Sequence, residues 1–139
     1  MSNEKEIKGW DTVKDSGQRE EFPTGSKRDS RNGKGRFDLL PFYAIQRLAR
    51  VYENGAKKYG DNNWRLGQSC SRYLDSALRH LMKAGSGWKD EDHFGQAMWN
   101  IAAIIETQKM IELNKAPKEL DDLSDFIPVW EEGINNGNV

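Results

Sequence analysis

Carboxylates, cations and amides cluster at both ends of one short helical stretch from Lys34 to Trp64, KGRFDLLPFYAIQRLARVYENGAKKYGDNNW, a layout that suits a polyanion held with a metal ion. Hydrolysis of phosphate esters and anhydrides needs carboxylates to hold magnesium or manganese, and cationic donors to offset phosphate charge. Glu53, Asp75 and the crowded Asp90-Glu91-Asp92 offer the first. Lys57, Lys58 and Arg79 offer the second, the amides of Asn63 and Asn100 can bond a base or sugar, and the indole of Trp64 can stack on a base. Upstream, Lys27, Arg28, Arg31, Lys34 and Arg36 face only Asp29 as an opposing charge, and Gly33 and Gly35 let backbone approach a ligand closely.

Each of these residues also has a plainer reading. The basic segment is equally a solvated loop, and Glu53 a solvated helix residue. Acidic residues such as Asp90, Glu91 and Asp92 gain about 0.3–1 kcal/mol at a helix N-terminus without any metal. Asp75 and Arg79 are spaced to pair on one helix face, although Arg79 and His80 can instead turn inward to a phosphate. His80 and His93 are the only histidines and serve as structural hydrogen-bonders in the plainer reading; Trp64 serves as core. His93, Gln96 and Asn100 share one helical face, a polar stripe that is either solvent side or ligand edge.

The elements that must position these groups are helical. A first helix is expected to begin near Asp38 to Pro41, with Ile45, Leu48, Ala49, Tyr52 and Ala56 on one face. Tyr59 to Trp64 reads as a turn. A second helix is expected from about Ser71 to Lys83, stopped by Gly85-Ser86-Gly87. A third starts around Asp90 to Asp92 and runs to about Leu113 through Phe94, Ala97, Met98, Ile101, Ala102 and Ile105. Residues 1–36 form a polar arm without sustained periodicity, 37–113 a helical core and 114–139 an acidic tail with Pro128, expected to be a strap or disordered apart from a short helix near Leu120 to Phe126. No strand-alternating segment is evident. The expected fold is a small all-α bundle, and Trp88, Trp99 and Trp130 add surface that a homo-oligomer would cover.

Composition narrows the function classes. Charged residues make up 31% of the 139 residues, yet the formal net charge is −1, which argues against a stable nucleic-acid partner and makes any anion site local. The single cysteine, Cys70, excludes an intramolecular disulfide framework and suits a reducing cytoplasm. The polar start MSNEKEIKGW and short apolar runs give no secretory signal or membrane span.

In order, KGRFDLLP (34–41, preceded by Arg28-Asp29), GAKKYGDNNW (55–64), SRYLDSALRHL (71–81) and DEDHFGQAMWN (90–100) resemble a phage and prophage family known as dATP/dGTP diphosphohydrolase-like, related to the MazG all-α nucleotide pyrophosphohydrolases. The resemblance spans roughly residues 24 to 110. It implies a MazG-like all-α fold, an oligomer, and magnesium- or manganese-dependent cleavage of a purine deoxynucleoside triphosphate to monophosphate and pyrophosphate. MazG-type enzymes place E-E-x-x-E on one helix and E-x-x-D on the next, and this chain has neither pattern. On the enzyme reading, Glu53, Asp75, Glu91 and Asp92 hold the metal and orient the attacking water, with Glu53 and Asp75 also counted as catalytic. Lys57, Lys58 and Arg79 offset phosphate charge, Lys34 and Arg36 clamp the polyphosphate, and His80, Asn63, Trp64 and Asn100 contact substrate. The rival, favoured by the missing acidic motifs, is a non-catalytic protein that binds or sequesters a nucleotide for a phage. An HD-type phosphohydrolase is set aside because the order here is Asp92-His93.

Overall fold

Pro41 caps a helix that its own missing N–H cannot disturb, and α1 follows over Phe42–Tyr59 after a 3-10 turn at Phe37–Leu39. It ends where Gly60, at φ +90°, donates its N–H to the Ala56 carbonyl at 2.8 Å. A left-handed Asn62 and a 3-10 turn at Asn63–Leu66 lead to α2, Cys70–Gly85. The loop through Gly87 then opens α3, His93–Glu112. The helices fall within one or two residues of their expected limits at most ends. A computed structural model gives these coordinates and describes residues 13–126; the expectations for MSNEKEIKGW, Pro128, Trp130 and the end of the tail lie outside the described residues.

α3 packs along α2 and, less extensively, against α1. The core between them holds Cys70, Tyr73, Ala103 and Ile104, with Leu74, Trp99 and Leu123 packed against it. The Trp99 ring sits 5.9 Å from Tyr52 on α1 and 5.8 Å from Tyr73 on α2, so one indole joins all three helices. The tail contributes to the same body. After a 3-10 turn at Lys118–Leu120, Asp122 accepts the Ser71 backbone N–H at 2.8 Å and the Ser71 hydroxyl at 2.5 Å, satisfying a donor that α2 leaves free at its start. A short α4, Leu123–Phe126, follows.

The chain divides into two units, the first ending at Leu40 and the second beginning at Pro41. The first is more ordered than its composition suggested, for it contains an antiparallel hairpin of β1, Arg19–Glu21, and β2, Lys27–Asp29. The register sets Arg19 opposite Asp29, Glu20 opposite Arg28 and Glu21 opposite Lys27. Three opposite-charge cross-strand pairs replace the apolar alternation by which strands are usually recognised. Gly25, at φ +85°, closes the connecting turn by donating to the Phe22 carbonyl at 2.8 Å. The helices dominate all the same, and the second unit is a small all-α bundle. Among the described residues, no helix is long and apolar enough to cross a membrane.

Candidate functional site

An open cleft of about 1030 Å³ lies within the second unit, bordered by α1, the turn after it, α2, Glu91 and α3. Its size is at the upper end of the roughly 300–1,000 Å³ of small-molecule sites. Helical spacing explains its walls. Tyr52, Gly55, Ala56 and Tyr59 recur at three and four residues on α1; Arg72, Ser76 and Arg79 do so on α2; and Gln96, Trp99 and Asn100 do so on α3. Glu53, Lys58, Asp61, Asn63 and Trp64 come from the end of α1 and the turn.

The polar groups of this cleft are partly committed to one another. Arg79 donates to Asp75 and to the Ser76 hydroxyl, both at 3.2 Å, and Glu53 stands 3.9 Å from Lys57. Asn100, nearly buried, spends its side-chain N–H on the Gln96 carbonyl at 2.8 Å. Tyr73 is different. Its hydroxyl is buried with no hydrogen-bond partner among the described residues, and burial raises its pKa, so it stays a protonated donor beside the cleft.

Next to the cleft, the end of α2 meets the start of α3. There His80 and His93, 8% and 2% exposed, bring their Nδ1 atoms to 2.8 Å, and His93 Nε2 lies 2.7 Å from Asp90 Oδ1. Burial lowers the His80 pKa and favours its neutral form, while the Asp90 carboxyl is lowered by its bond to His93. With Glu91 these two imidazoles form a group whose ligand atoms all lie within 4.8 Å of one another, close enough to hold a metal ion.

Asp92 sits on the other side of the α3 start. Its Oδ1 accepts the Gly95 backbone N–H at 3.0 Å, and both oxygens accept from the Arg47 guanidinium of α1. The Arg47 bond is the main cause that lowers its pKa. Gly95 is required for this arrangement, because a Cβ there would stand 2.5 Å from Asp92 Oδ2 and 3.1 Å from a Val51 methyl.

Of the residues singled out in the sequence, the cleft brings together Glu53, Lys58, Asn63, Trp64, Arg79, Glu91 and Asn100. Lys57 and Asp75 lie outside its lining, each on the exposed side of its helix and each in an i,i+4 pair. His80 faces His93 rather than the cleft. Asp92, expected as a metal ligand, has its oxygens occupied by Arg47 and the helix start, and Glu53, Asp75, Glu91 and Asp92 do not converge as a four-carboxylate group among the described residues. Lys34 and Arg36 belong to the first unit, where Lys34 bonds Asp29 at 2.8 Å and Arg36 bonds Asp38 at 2.7 and 2.8 Å.

Sequence reasoning passed over Arg72, Ser76, Tyr73, Asp61 and Arg47. The 72, 76, 79 spacing was the available signal for the first two, since two arginines at i and i+7 around a serine mark a cationic helix face. Arg47 left no such trace: its partner is 45 residues away.

A family model described as dATP/dGTP diphosphohydrolase, N-terminal, matches residues 24–116, a span that includes every cleft residue named above. No curated protein and no solved structure matches the chain.

Proposed function

Since the chain belongs to the dATP/dGTP diphosphohydrolase N-terminal family, we propose that it hydrolyses a purine deoxynucleoside triphosphate, dATP or dGTP, to monophosphate and pyrophosphate with magnesium or manganese. The observation that carries this reading is the cleft itself. It combines three carboxylates, Glu53, Asp61 and Glu91, with Lys58, Arg72 and Arg79, and it sets amides and indoles beside them.

The donor set fits a hard divalent cation. Such ions are usually held by one or two carboxylates together with substrate phosphates and water, which is what Glu53 and Glu91 would provide. When bound, the ion supplies charge neutralisation on the phosphates and a more acidic water. Arg79 and Arg72, one helical face of α2, bind phosphate oxygens, with Arg79 exchanging its bond to Asp75 for one to substrate. Lys58 adds a further point charge. Asn63 presents an amide to base or sugar, and the Trp64 edge and Trp99 bound the apolar side.

A panel of deoxynucleoside and ribonucleoside triphosphates incubated with magnesium or manganese, with products separated by ion exchange, tests this reading. Release of monophosphate and pyrophosphate from dATP or dGTP is expected. Saturable binding with every ligand recovered intact would replace the enzyme by the nucleotide-sequestering alternative, which the dispersed carboxylates favour.

A further inference from the structure

We propose that His80, His93 and Glu91 form a binding site for a borderline transition-metal ion of the zinc or cobalt class, distinct in chemistry from the hard cation assigned to the cleft. The argument begins with the protons. Asp90 Oδ1, 2.7 Å from His93 Nε2, is a carboxylate oxygen and so assigns the hydrogen to Nε2; in that tautomer the lone pair of His93 is on Nδ1. His80 Nδ1 is 2.8 Å from that lone pair, and two bare lone pairs at this distance would repel. Something positive must lie between them. With His93 as the Nε2–H tautomer, a hydrogen on His80 Nδ1 fills that place.

A metal ion can take the place of that hydrogen. Tetrahedral coordination with metal–nitrogen bonds of about 2.0–2.1 Å separates two ligand nitrogens by roughly 3.3–3.4 Å, so the rings need only part by about half an ångström. The proton then moves to His80 Nε2. Glu91 supplies an anionic third ligand within the same 4.8 Å group, and open positions remain on the exposed side, where Glu91 also borders the cleft.

Asp90 provides the second, independent sign. A metal-bound imidazole commonly donates its remote N–H to a carboxylate, which fixes the ring's tautomer and raises its basicity. His93 makes that bond to Asp90 at 2.7 Å. Both rings are buried and already oriented, so little ordering is left to oppose binding. Two imidazoles and a carboxylate suit zinc, cobalt or nickel, whereas magnesium prefers an all-oxygen shell. The site does not depend on the hydrolase reading, because its occupancy is read by metal binding alone.

Metal-stripped full-length protein titrated with Co²⁺, followed by visible absorption, tests the proposal. One equivalent per chain should produce a ligand-field band that Zn²⁺ abolishes and a thousandfold excess of Mg²⁺ leaves in place. His93→Gln should abolish the band. Asp90→Asn, a change at an exposed carboxylate that leaves the three ligands intact, should keep the stoichiometry and weaken affinity roughly 10- to 100-fold. Circular dichroism confirms folding of each variant. If His93→Gln does not fold, Glu91→Gln and Asp90→Asn, both on exposed side chains, decide instead. Absence of a cobalt band in the wild-type protein, a cobalt affinity unchanged in these variants, or equal displacement by Mg²⁺ would overturn the site.

Discussion

Replacing Asp92 by alanine separates two jobs that its position at the start of α3 invites. One is metal ligation; the other is holding α3 against α1. The geometry favours the second, because Asp92 caps the Gly95 N–H and accepts both arms of Arg47. Loss of an N-cap costs about 0.5–2 kcal/mol. For a domain of this size about 1 kcal/mol lowers the melting temperature by roughly 3–6 °C. Asp92→Ala should therefore melt several degrees below wild type, with Asp92→Asn in between because an amide still caps. The pH profile follows from the sign of the pKa shift. Folding lowers the Asp92 carboxyl below its ordinary 3.8, so its contribution is complete above that value and is lost as pH falls through the folded pKa. The gap between wild type and Asp92→Ala should stay level from about pH 5 to 8 and close toward pH 3. Thermal melts by circular dichroism across that range provide the measurement. A variant that keeps the wild-type melting temperature while losing metal-dependent hydrolysis would refute this account and return Asp92 to the metal.

Gly95→Ala should lower stability although alanine is the better helix former by about 1 kcal/mol, because its Cβ would crowd Asp92 and Val51; a raised melting temperature would contradict that. Cys70 is fully buried and its thiol is pushed up to about 11 by desolvation, so a disulfide reagent at pH 8 should label urea-unfolded but not native protein. The native state keeps this proton after the unfolded chain has released it near 9, so stability should fall as pH rises between those values, and Cys70→Ala should lessen the slope. α3 leaves Phe94, Ile101 and Ile105 exposed along one face, and light scattering should give a multiple of the chain mass that Ile101→Glu reduces to one. A monodisperse single chain for the wild type would dismiss the homo-oligomer.

The helices were legible because their apolar spacing is strong and their ends carry proline or glycine. Ala97 lies inside as the α3 pattern requires, but Val51, Tyr73 and Ile104 are buried off the faces read from the sequence, and Ile45, Phe94, Ile101 and Ile105, which those faces contain, are exposed. The hairpin was not legible, since charge pairs rather than apolar alternation hold Arg19–Glu21 to Lys27–Asp29. In the site, residue types were a better guide than residue roles. Glu53, Lys58, Asn63, Arg79, Glu91 and Asn100 reach one cleft, but whether a carboxylate is free depends on partners far away in sequence. Arg47 takes Asp92 across 45 residues, and His80 meets His93 across 13. Helix packing creates both pairings, and no local spacing rule contains them.

The charges lining the cleft lead to a stricter test of the metal. Lys58, Arg72 and Arg79 are matched there by Glu53, Asp61 and Glu91, so the cleft offers a triphosphate no net attraction, and Arg79 is already shared with Asp75. A ligand with several negative charges is held in such a place only when a divalent cation tips the balance. Metal dependence should then appear in binding as well as in turnover. With a non-hydrolysable dATP or dGTP analogue, a chelator should weaken affinity by at least about tenfold, or about 1.4 kcal/mol. Glu53→Gln makes the prediction sharper, because the same change should act in opposite directions. With magnesium present it removes a ligand and weakens binding; with chelator present it removes a repelling charge and strengthens it. Calorimetric titration under both conditions would show the inversion. Equal affinity with and without chelator, or an effect of Glu53→Gln in the same direction under both, would mean that Glu53 does not meet the phosphates through a cation.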